Sequence, residues 1–422
     1  MDKISVIVSC PIDTYSGYGA RSRDFVKALL KLEKYDVKVL SQRWGNTRFG
    51  YLKDHNEVEL SSLVIPQITS RPDVWVQVTV PNEFQAIGKF NIGVTAGIET
   101  TVCAAPWVEG CNKMNLVLTS SRHAKKVFED SKFNVEEKGV ITRSVSLTTP
   151  IEVLLEGADL AKYFPTTSTF NLEQVEESFA YLFVGHWLQG DFAQDRKNVG
   201  YMIKAFLEVF KNKKNAPALI LKTQSANASI LDRDQLLKKI DDIRKTVKGT
   251  LPNIYLIHGE MTDKEMNHLY NHPKVKAMIS LTKGEGFGRP LLEFSLVNKP
   301  IIASGWSGHT DFLDPEYTLL VGGSLTPVHK SAAVKDMILE ESNWFTPDDT
   351  EVGTSLKVLF DSYKKYLELA KRQGYRSRTN FSFENMTDRL EQILSQHLPE
   401  FSKEVELKLP TLNLPKLQKI NG

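Results

Sequence analysis

A glycine-rich segment with two glutamates is the strongest chemical signal in the sequence. It runs Ser280-Leu-Thr-Lys-Gly-Glu-Gly-Phe-Gly-Arg-Pro-Leu-Leu-Glu293, with seven residues between Glu285 and Glu293. Glycines allow the backbone to approach a ligand closely, and the amides at the start of the following helix suit a diphosphate. Carboxylates bind vicinal diols well because they accept two hydrogen bonds at once. We therefore expect one of these carboxylates to reach a sugar hydroxyl and the other a ribose.

A basic pair precedes a predicted helix in the middle of the chain. Arg196 and Lys197 follow a short strand that ends at His186. A lysine at a helix start combines its own charge with the amides of the helix, so Lys197 could neutralise a diphosphate without a metal ion. Lys222 ends another predicted strand; it either adds a second cation to this site or is solvated.

A loop near the N-terminus mixes basic and aromatic side chains. Arg43, Arg48 and Lys53 alternate with aromatic residues that include Trp44 and Phe49. Such interleaving suits a polyanion with bases that can stack. The alternatives are a loop that faces lipid or carbohydrate, or plain packing of Trp44 and Phe49.

The composition is that of an ordinary globular protein. The chain has 422 residues, of which 53 are Lys or Arg and 51 are Asp or Glu, so its formal charge is +2. This balance gives no general attraction to nucleic acid or anionic membranes, and either partner would need a local patch. Three cysteines are too few for a disulfide framework or a zinc site. No export signal or run of about 18 apolar residues is visible, so we expect a cytoplasmic protein without a membrane span.

The elements that must position these residues alternate between short β-branched runs and amphipathic stretches. This alternation predicts α/β structure with parallel sheets covered by helices, and it restarts after a turn-rich stretch at 160–171. We expect an N-terminal domain of residues 1–157, a second domain of residues 158–397 and a tail, 398–422, that could pack back on the first domain. A ligand is expected in the cleft between the two domains.

The Ser280–Glu293 segment, together with the next strand Pro300-Ile-Ile-Ala-Ser304, resembles the Glu-x7-Glu motif of retaining glycosyltransferases of the GT-B fold, particularly family four. The resemblance implies two Rossmann-like domains that face a central cleft. It also implies transfer of a hexosyl or pentosyl group from a UDP-sugar, with no metal or other cofactor. His186 departs from the family pattern, which often has an arginine directly after the glycine.

The same resemblance assigns further residues to the donor and to the transferred sugar. It places the loop around Gly17, Tyr18 and Gly19 opposite the donor phosphates, and Glu99 near the sugar that is transferred, where a helix-capping role is the alternative. With Lys222, whose position at a strand end suggests a second cation, the expected donor-binding residues are Gly17, Tyr18, Gly19, Arg196, Lys197, Lys222, Met261, Gly286, Phe287, Gly288 and Glu293. Glu285 and Glu99 are the expected catalytic residues, and the resemblance implies that Glu285 orients the sugar and Glu293 the ribose. A donor phosphate oxygen would help to deprotonate the acceptor, since no residue is an obvious covalent nucleophile.

Three blocks resemble glycosyltransferases of large tailed phages of the T-even kind. They are Ser16-Gly-Tyr-Gly-Ala-Arg21, Gln42-Arg-Trp-Gly-Asn-Thr47 and Gly305-Trp-Ser-Gly-His-Thr-Asp311. Some of those enzymes modify 5-hydroxymethylcytosine in phage DNA with glucose or arabinose. The resemblance implies double-stranded DNA as partner, a flipped-out base and a location in the host cytoplasm. Arg43, Arg48 and Lys53 would then bind phosphates, and Trp44 would fill or stack in the gap.

Other functions remain open at this point. They are a glycosyltransferase for cell-surface polysaccharide or lipid-linked sugar, a nucleotide-sugar epimerase, and a binding module without catalysis. Asp232-Arg-Asp234 spells a metal-binding Asp-x-Asp motif, but its position at a helix start favours capping. The sequence does not specify the sugar, the acceptor, the anomeric outcome or the oligomeric state.

Overall fold

The computed structural model describes residues 3–137, 140–225 and 228–401. Its first domain is built on a parallel sheet of seven strands in the order β3-β2-β1-β4-β5-β6-β9, and β7 and β8 form a separate antiparallel pair. The strands are β1 (Ile4–Cys10), β2 (Tyr35–Ser41), β3 (Val64–Ile65), β4 (Val74–Val78), β5 (Phe90–Thr95), β6 (Leu116–Thr119), β7 (Phe133–Glu137), β8 (Val140–Val145) and β9 (Ile151–Val153). The helices are α1 (Gly17–Lys31), α2 (Tyr51–Asp54), α3 (Val58–Ser62), α4 (Ala105–Cys111) and α5 (Arg122–Asp130), with a 3-10 turn at Pro81–Glu83.

The second domain repeats this plan with a six-stranded parallel sheet in the order β12-β11-β10-β13-β14-β15, and β16 and β17 form an antiparallel hairpin. The strands are β10 (Ala180–His186), β11 (Ala218–Gln224), β12 (Ile254–Ile257), β13 (Val275–Ser280), β14 (Ile301–Ser304), β15 (Leu319–Val321), β16 (Gly323–Pro327) and β17 (Asn343–Pro347). The helices are α6 (Val199–Phe210), α7 (Ile230–Lys245), α8 (Asp263–Asn271), α9 (Arg289–Ser295), α10 (Asp349–Asp361), α11 (Tyr363–Asn380) and α12 (Phe383–His397), with a 3-10 turn at Gly308–Asp311.

Both sheets have the doubly wound order that the sequence predicts. Central strands such as β4 and β6 are buried along their whole length, because helices cover both faces of a parallel sheet. The strand order reverses beside β1 in the first sheet and beside β10 in the second. The loops after β1 and β10 therefore lie at the two crevices where open α/β sheets bind ligands.

The last described helix departs from the expected domain boundaries. The apolar face of α12, formed by Met386, Leu390, Ile393 and Leu394, packs into the core of the first domain. The chain returns to that domain beside its first crossing, where the Ala158 N–H donates to the Phe381 carbonyl at 2.9 Å. Residues 383–397 thus belong with the first domain, because the apolar face of this amphipathic helix is buried in that domain's core. Most of the predicted tail, residues 402–422, lies outside the described residues.

Two features of composition also have structural counterparts. Cys10, Cys103 and Cys111 are buried free thiols. Within the described ranges, no helix has the length and apolarity needed to cross a membrane.

Candidate active site

Glu285 lies in the loop between β13 and α9, at the carboxyl edge of the second sheet. Glu285 is 6% exposed. Its carboxylate contacts the ammonium of Lys197, and the Arg196 guanidinium lies 3.4 Å from the other carboxylate oxygen. Burial opposes ionisation, but the two cations outweigh it and lower the pKa of Glu285 to about 2. The carboxylate is therefore charged at neutral pH.

The two cations come from the loop that precedes α6. Burial lowers the pKa of Lys197, whereas Glu99 and Glu285 raise the pKa of Arg196 against its burial. Arg196 Nη1 lies 3.6 Å from the Glu99 carboxylate, which belongs to the first domain. The structure thus brings together four predicted site residues, two acids and two bases, at the contact between the domains.

The glycine loop packs against the first domain. A Cβ at Gly284 would lie 1.9 Å from the Glu99 carbonyl, and one at Gly286 would lie 2.5 Å from the Ala96 carbonyl. The Ser120 hydroxyl also donates to the Gly286 carbonyl at 3.1 Å. We expected these glycines to admit a ligand to the backbone, but at both positions the neighbour is protein backbone.

The next two residues of the loop also face protein. The ring of Phe287 is buried 5.0 Å from that of Phe312, so the backbone of Phe287 is what remains for a donor. Gly288 has φ +97, and a Cβ there would lie 2.9 Å from His309. The left-handed backbone explains why glycine stands immediately before α9.

Glu293 is engaged by an arginine. Arg289 Nε donates to the Glu293 carboxylate at 3.0 Å, and Arg289 Nη1 reaches Asp24 at 2.6 Å and Glu156 at 3.3 Å. Burial, with a contribution from nearby Asp263, raises the pKa of Glu293 to about 7 despite Arg289. Glu293 thus belongs to a charge network between the domains, and its contact with a ribose stays a prediction.

Lys222 also has a protein partner. Its ammonium donates to the Gly259 carbonyl at 2.6 Å, and burial lowers its pKa. It therefore fixes the turn that includes Met261, whose side chain packs against the core of the second domain. At the end of the same strand, β11, Gln224 donates to the Glu260 carboxylate at 2.7 Å.

Two glycines in the loop after β1 differ in the space around them. Gly17 is exposed and has open space where a Cβ would lie, whereas a Cβ at Gly19 would lie 2.3 Å from the Thr14 carbonyl. Gly19 is thus required by its own turn, and only Gly17 offers its backbone to a ligand. The Tyr18 hydroxyl accepts the Ala96 N–H at 3.1 Å, which ties this loop to the strand end before Glu99.

The four predicted acceptor residues lie between β2 and α3 of the first domain, with Lys53 in the short helix α2 and the other three in the loop before it. The ring of Trp44 stacks on that of Tyr18 at 3.9 Å. Arg43 and Lys53 are exposed, and Arg48 pairs with Asp54 at 2.5 Å. These residues are placed on one surface, but part of the charge of Arg48 is already neutralised.

A cavity of about 600 Å³ separates this loop from the second domain. Gly17, Trp44 and Arg48 line one side of it, and His186 and Glu260 line the other. The cleft predicted from the sequence is thus open at this end, while the glycine loop closes it at the other.

Sequence reasoning missed the residues that hold the backbone of Glu285. The Glu285 N–H donates to the Ser307 hydroxyl at 2.9 Å, and the Gly308 N–H donates to the Glu285 carbonyl at 2.9 Å. Ser307 has φ +81, which is unusual for a residue with a side chain. The Gly305–Asp311 block was noted for its resemblance, but no spacing rule indicated that it would fix the glutamate.

Asp232 has a structural role at the start of α7. Its carboxylate accepts the Ser225 N–H at 3.1 Å and lies 2.8 Å from His258 Nε2. In the ranges that the structure describes, no group of three or more His, Cys, Asp or Glu side chains is placed to bind a metal ion.

Solved structures resemble nearly the whole chain at low sequence identity. A glycosyltransferase from Rickettsia africae ESF-5 is 12% identical with a TM-score of 0.62, over 94% of this chain and 99% of its own. Anabaena HepE in complex with UDP-glucose is 13% identical with a TM-score of 0.63, over 93% and 100%. A sucrose-phosphate synthase from Thermosynechococcus elongatus is 11% identical with a TM-score of 0.60, over 94% and 99%.

Neither a protein-family model nor a curated protein sequence matches the chain. The structural likeness nevertheless agrees with the two doubly wound sheets and with the crevice between them. The chain therefore has the two-domain GT-B fold that its glycine-rich motif predicts.

Proposed function

We propose that this protein transfers a glycosyl group from a UDP-sugar to an acceptor hydroxyl. The observation that carries the proposal is the buried contact of Glu285 with Lys197 and Arg196 at the interdomain cleft. The fold supports it, since HepE has the same fold and binds UDP-glucose. A diphosphate needs cations, and a sugar needs an acceptor of hydrogen bonds, and the cleft provides both.

In this proposal the cations act on the leaving group. Lys197 and Arg196 stabilise the negative charge that develops on the diphosphate as the glycosidic bond breaks. The start of α6 contributes less, because the Asp195 carboxylate already accepts the Val199 N–H at 3.2 Å. Glu285 orients the sugar, and Glu99 faces it from the first domain.

The donor must displace contacts that exist without it. Glu285 and Glu99 neutralise Arg196 in the structure, and Arg289 occupies the carboxylate of Glu293. We propose that the diphosphate takes over the cations and that the domains separate slightly to admit the ribose. The glycine loop would then face the donor in place of Ala96 and Glu99.

We propose 5-hydroxymethylcytosine in double-stranded DNA as the acceptor, with glucose or arabinose as the sugar. The placement of Trp44 supports this, because its ring is stacked on Tyr18 at the open end of the cleft, where an extruded base could also stack. Arg43 on this loop and Lys53 in the adjoining helix α2 are exposed and available to DNA phosphates.

The first experiment measures UDP release from a panel of UDP-sugars. We expect release from at least one donor, and a fall of about 100-fold or more in Glu285→Gln, because a carboxylate that orients the sugar is lost. Glu316→Gln, at an exposed glutamate of the second domain, is the control and should match the wild type. Equal release by Glu285→Gln and the wild type would contradict the assignment of this site.

The acceptor is tested by intact mass spectrometry of a DNA duplex that contains 5-hydroxymethylcytosine, with an unmodified duplex as control. A pentose or hexose adduct on the hydroxymethylated strand alone would support the DNA acceptor and name the sugar. UDP release without an adduct would overturn it in favour of a polysaccharide or lipid-linked acceptor. Conversion of the UDP-sugar to an isomer without an acceptor would indicate an epimerase.

A further inference from the structure

A second cavity lies in the second domain, behind the loop that carries Glu285. It has a volume of about 390 Å³ and lies between the start of α6 and the β16–β17 hairpin. Its lining includes Asn198 and Tyr201 from the α6 side, Lys283 from the glycine loop, and His329 beyond β16. This size falls within the range of small-molecule sites.

Lys283 is a buried lysine without a carboxylate partner. Lys283 is 3% exposed. Its ammonium donates to the Thr346 hydroxyl at 3.2 Å and lies 5.3 Å from the centre of the Trp344 ring. Among the described residues, it takes part in no ion pair within 4.0 Å. Burial lowers the pKa of Lys283 to about 8, so the charged form still predominates at pH 7.

The nearest acid does not neutralise this lysine directly. Asp195 acts on Lys283 through its charge, but its carboxylate accepts the Val199 N–H at 3.2 Å and so caps α6. A buried ammonium with one hydroxyl partner has donors to spare, since lysine carries three. Such a group is costly to bury unless something pairs with it.

The lining contains no acid, but the Asp191 carboxylate lies 3.9 Å from His329 Nδ1 just outside it. Lys283 and His329 are the ionisable groups that can become cationic, and threonine hydroxyls and amide side chains accompany them. His329 Nδ1 accepts the Ser331 N–H at 3.2 Å, which leaves Nε2 as the protonated nitrogen and a donor. The side-chain oxygen of Asn198 is buried without a hydrogen-bond partner. The cavity is therefore suited to an anion that also offers a donor or a bridging water.

We propose that this cavity binds a small molecule bearing a phosphate group, with Lys283 as the main contact of the phosphate. A phosphate fits better than a bare carboxylate because it has more acceptor oxygens for the lysine, histidine and threonine donors, and its protonated oxygen can donate to Asn198. Tyr201, Pro327 and Val328 give the cavity an apolar side for the organic part of a phosphate ester.

The bound molecule acts on the candidate active site through the backbone. The Lys283 N–H donates to the Arg196 carbonyl at 2.8 Å, and the Phe345 N–H donates to the Lys283 carbonyl at 2.9 Å. A shift of Lys283 toward an anion is therefore transmitted to the segments that carry Arg196 and Glu285. The proposal concerns an effector site and goes beyond glycosyl transfer itself.

The test uses thermal unfolding of the full chain with inorganic phosphate as the probe. In the wild type, we expect phosphate to raise Tm by at least about 2 °C, which corresponds to roughly 1 kcal/mol for a domain of this size. In Lys283→Met, we expect a higher Tm without phosphate, because an unpaired buried charge is gone, and no rise on adding phosphate. Lys239→Met, at an exposed lysine of α7, is the control and should keep the wild-type response.

A phosphate response that persists in Lys283→Met would place the anion elsewhere, and absence of a response in the wild type would exclude the site. A lower Tm of Lys283→Met than of Lys239→Met would indicate a purely structural lysine. UDP is added in a separate series: its effect on Tm reports on the proposed donor site, so failure of that site and failure of this one are distinguished.

Discussion

Glu285 and Glu293 flank the same short stretch of chain, and both are buried, yet their charge states differ. Lys197 and Arg196 lower the pKa of Glu285 to about 2, while burial raises the pKa of Glu293 to about 7 with Arg289 as its cation. Arg289 is one cation shared among Glu293, Asp24 and Glu156. At Glu285, by contrast, two cations face two acids, Glu285 itself and Glu99. Burial raises the pKa of both glutamates, so the different ratio of cations to acids is what separates their charge states.

The largest effect is expected from Lys197→Met. This substitution removes the cation in contact with Glu285 and leaves a buried carboxylate with Arg196, which Glu99 also engages. We expect the free energy of unfolding to fall by about 3–5 kcal/mol, as for other buried pairs that lose one partner. Urea unfolding of both proteins at pH 7 measures this free energy.

A double substitution tests whether the uncompensated Glu285 carboxylate causes this loss of stability. In Lys197→Met with Glu285→Gln, the uncompensated carboxylate is gone, so the loss should be smaller than the sum of the two single losses by about 1–3 kcal/mol. Additive losses would mean that the contact does not determine the charge of Glu285.

A smaller effect, of opposite sign, is expected from Glu293→Gln. The folded-state pKa of Glu293, about 7, lies above the usual 4.5, so its stabilising contribution is full below pH 4.5 and is lost as the pH rises through 7. The glutamine avoids this loss and still offers an oxygen to Arg289. We expect the variant to be more stable than the wild type at pH 8 by about 1–3 kcal/mol.

Urea unfolding at pH 4.5 and pH 8 tests this pH dependence, since the gain should vanish at the lower pH. Glu285→Gln is the internal contrast. The low pKa of Glu285 stabilises the fold above pH 4.5 and ceases to do so as the pH falls through 2, so that variant should be the less stable one at pH 8. The same sign for both variants would refute the contrast between the glutamates.

The smallest effect is expected from Asp24→Asn. Arg289 keeps Glu156 and Glu293 as partners, so loss of one charged contact should lower the free energy of unfolding by about 1 kcal/mol. Asp361→Asn, at an exposed pair with Lys213, is the control and should change it less. A loss as large as that of Lys197→Met would show that the two networks are equally constrained.

The sequence predicted the fold and the central acids and bases for a simple reason. Periodic burial and short β-branched runs are local signals, and they reported both sheets. The Glu285 loop and the Arg196–Lys197 pair follow strands β13 and β10, which are neighbours in the sheet, so strand order alone places them near each other.

Local sequence patterns did not predict contacts between segments that are distant in the chain. Nothing local indicates that Gly286 meets Ala96, that Phe287 is buried, or that Lys222 is used by the Gly259 carbonyl. The β16–β17 hairpin was missed as well, because its first strand, Gly323–Pro327, contains the glycine and proline that usually mark a turn.

The return of α12 to the first domain has a consequence for synthesis on the ribosome. The core of that domain includes Leu390 and Ile393, which are among the last of the described residues to be translated. The second domain, by contrast, is nearly continuous from Ala158 to Phe381. We therefore expect the second domain to become competent to fold first, so that the usual order of emergence and folding is reversed.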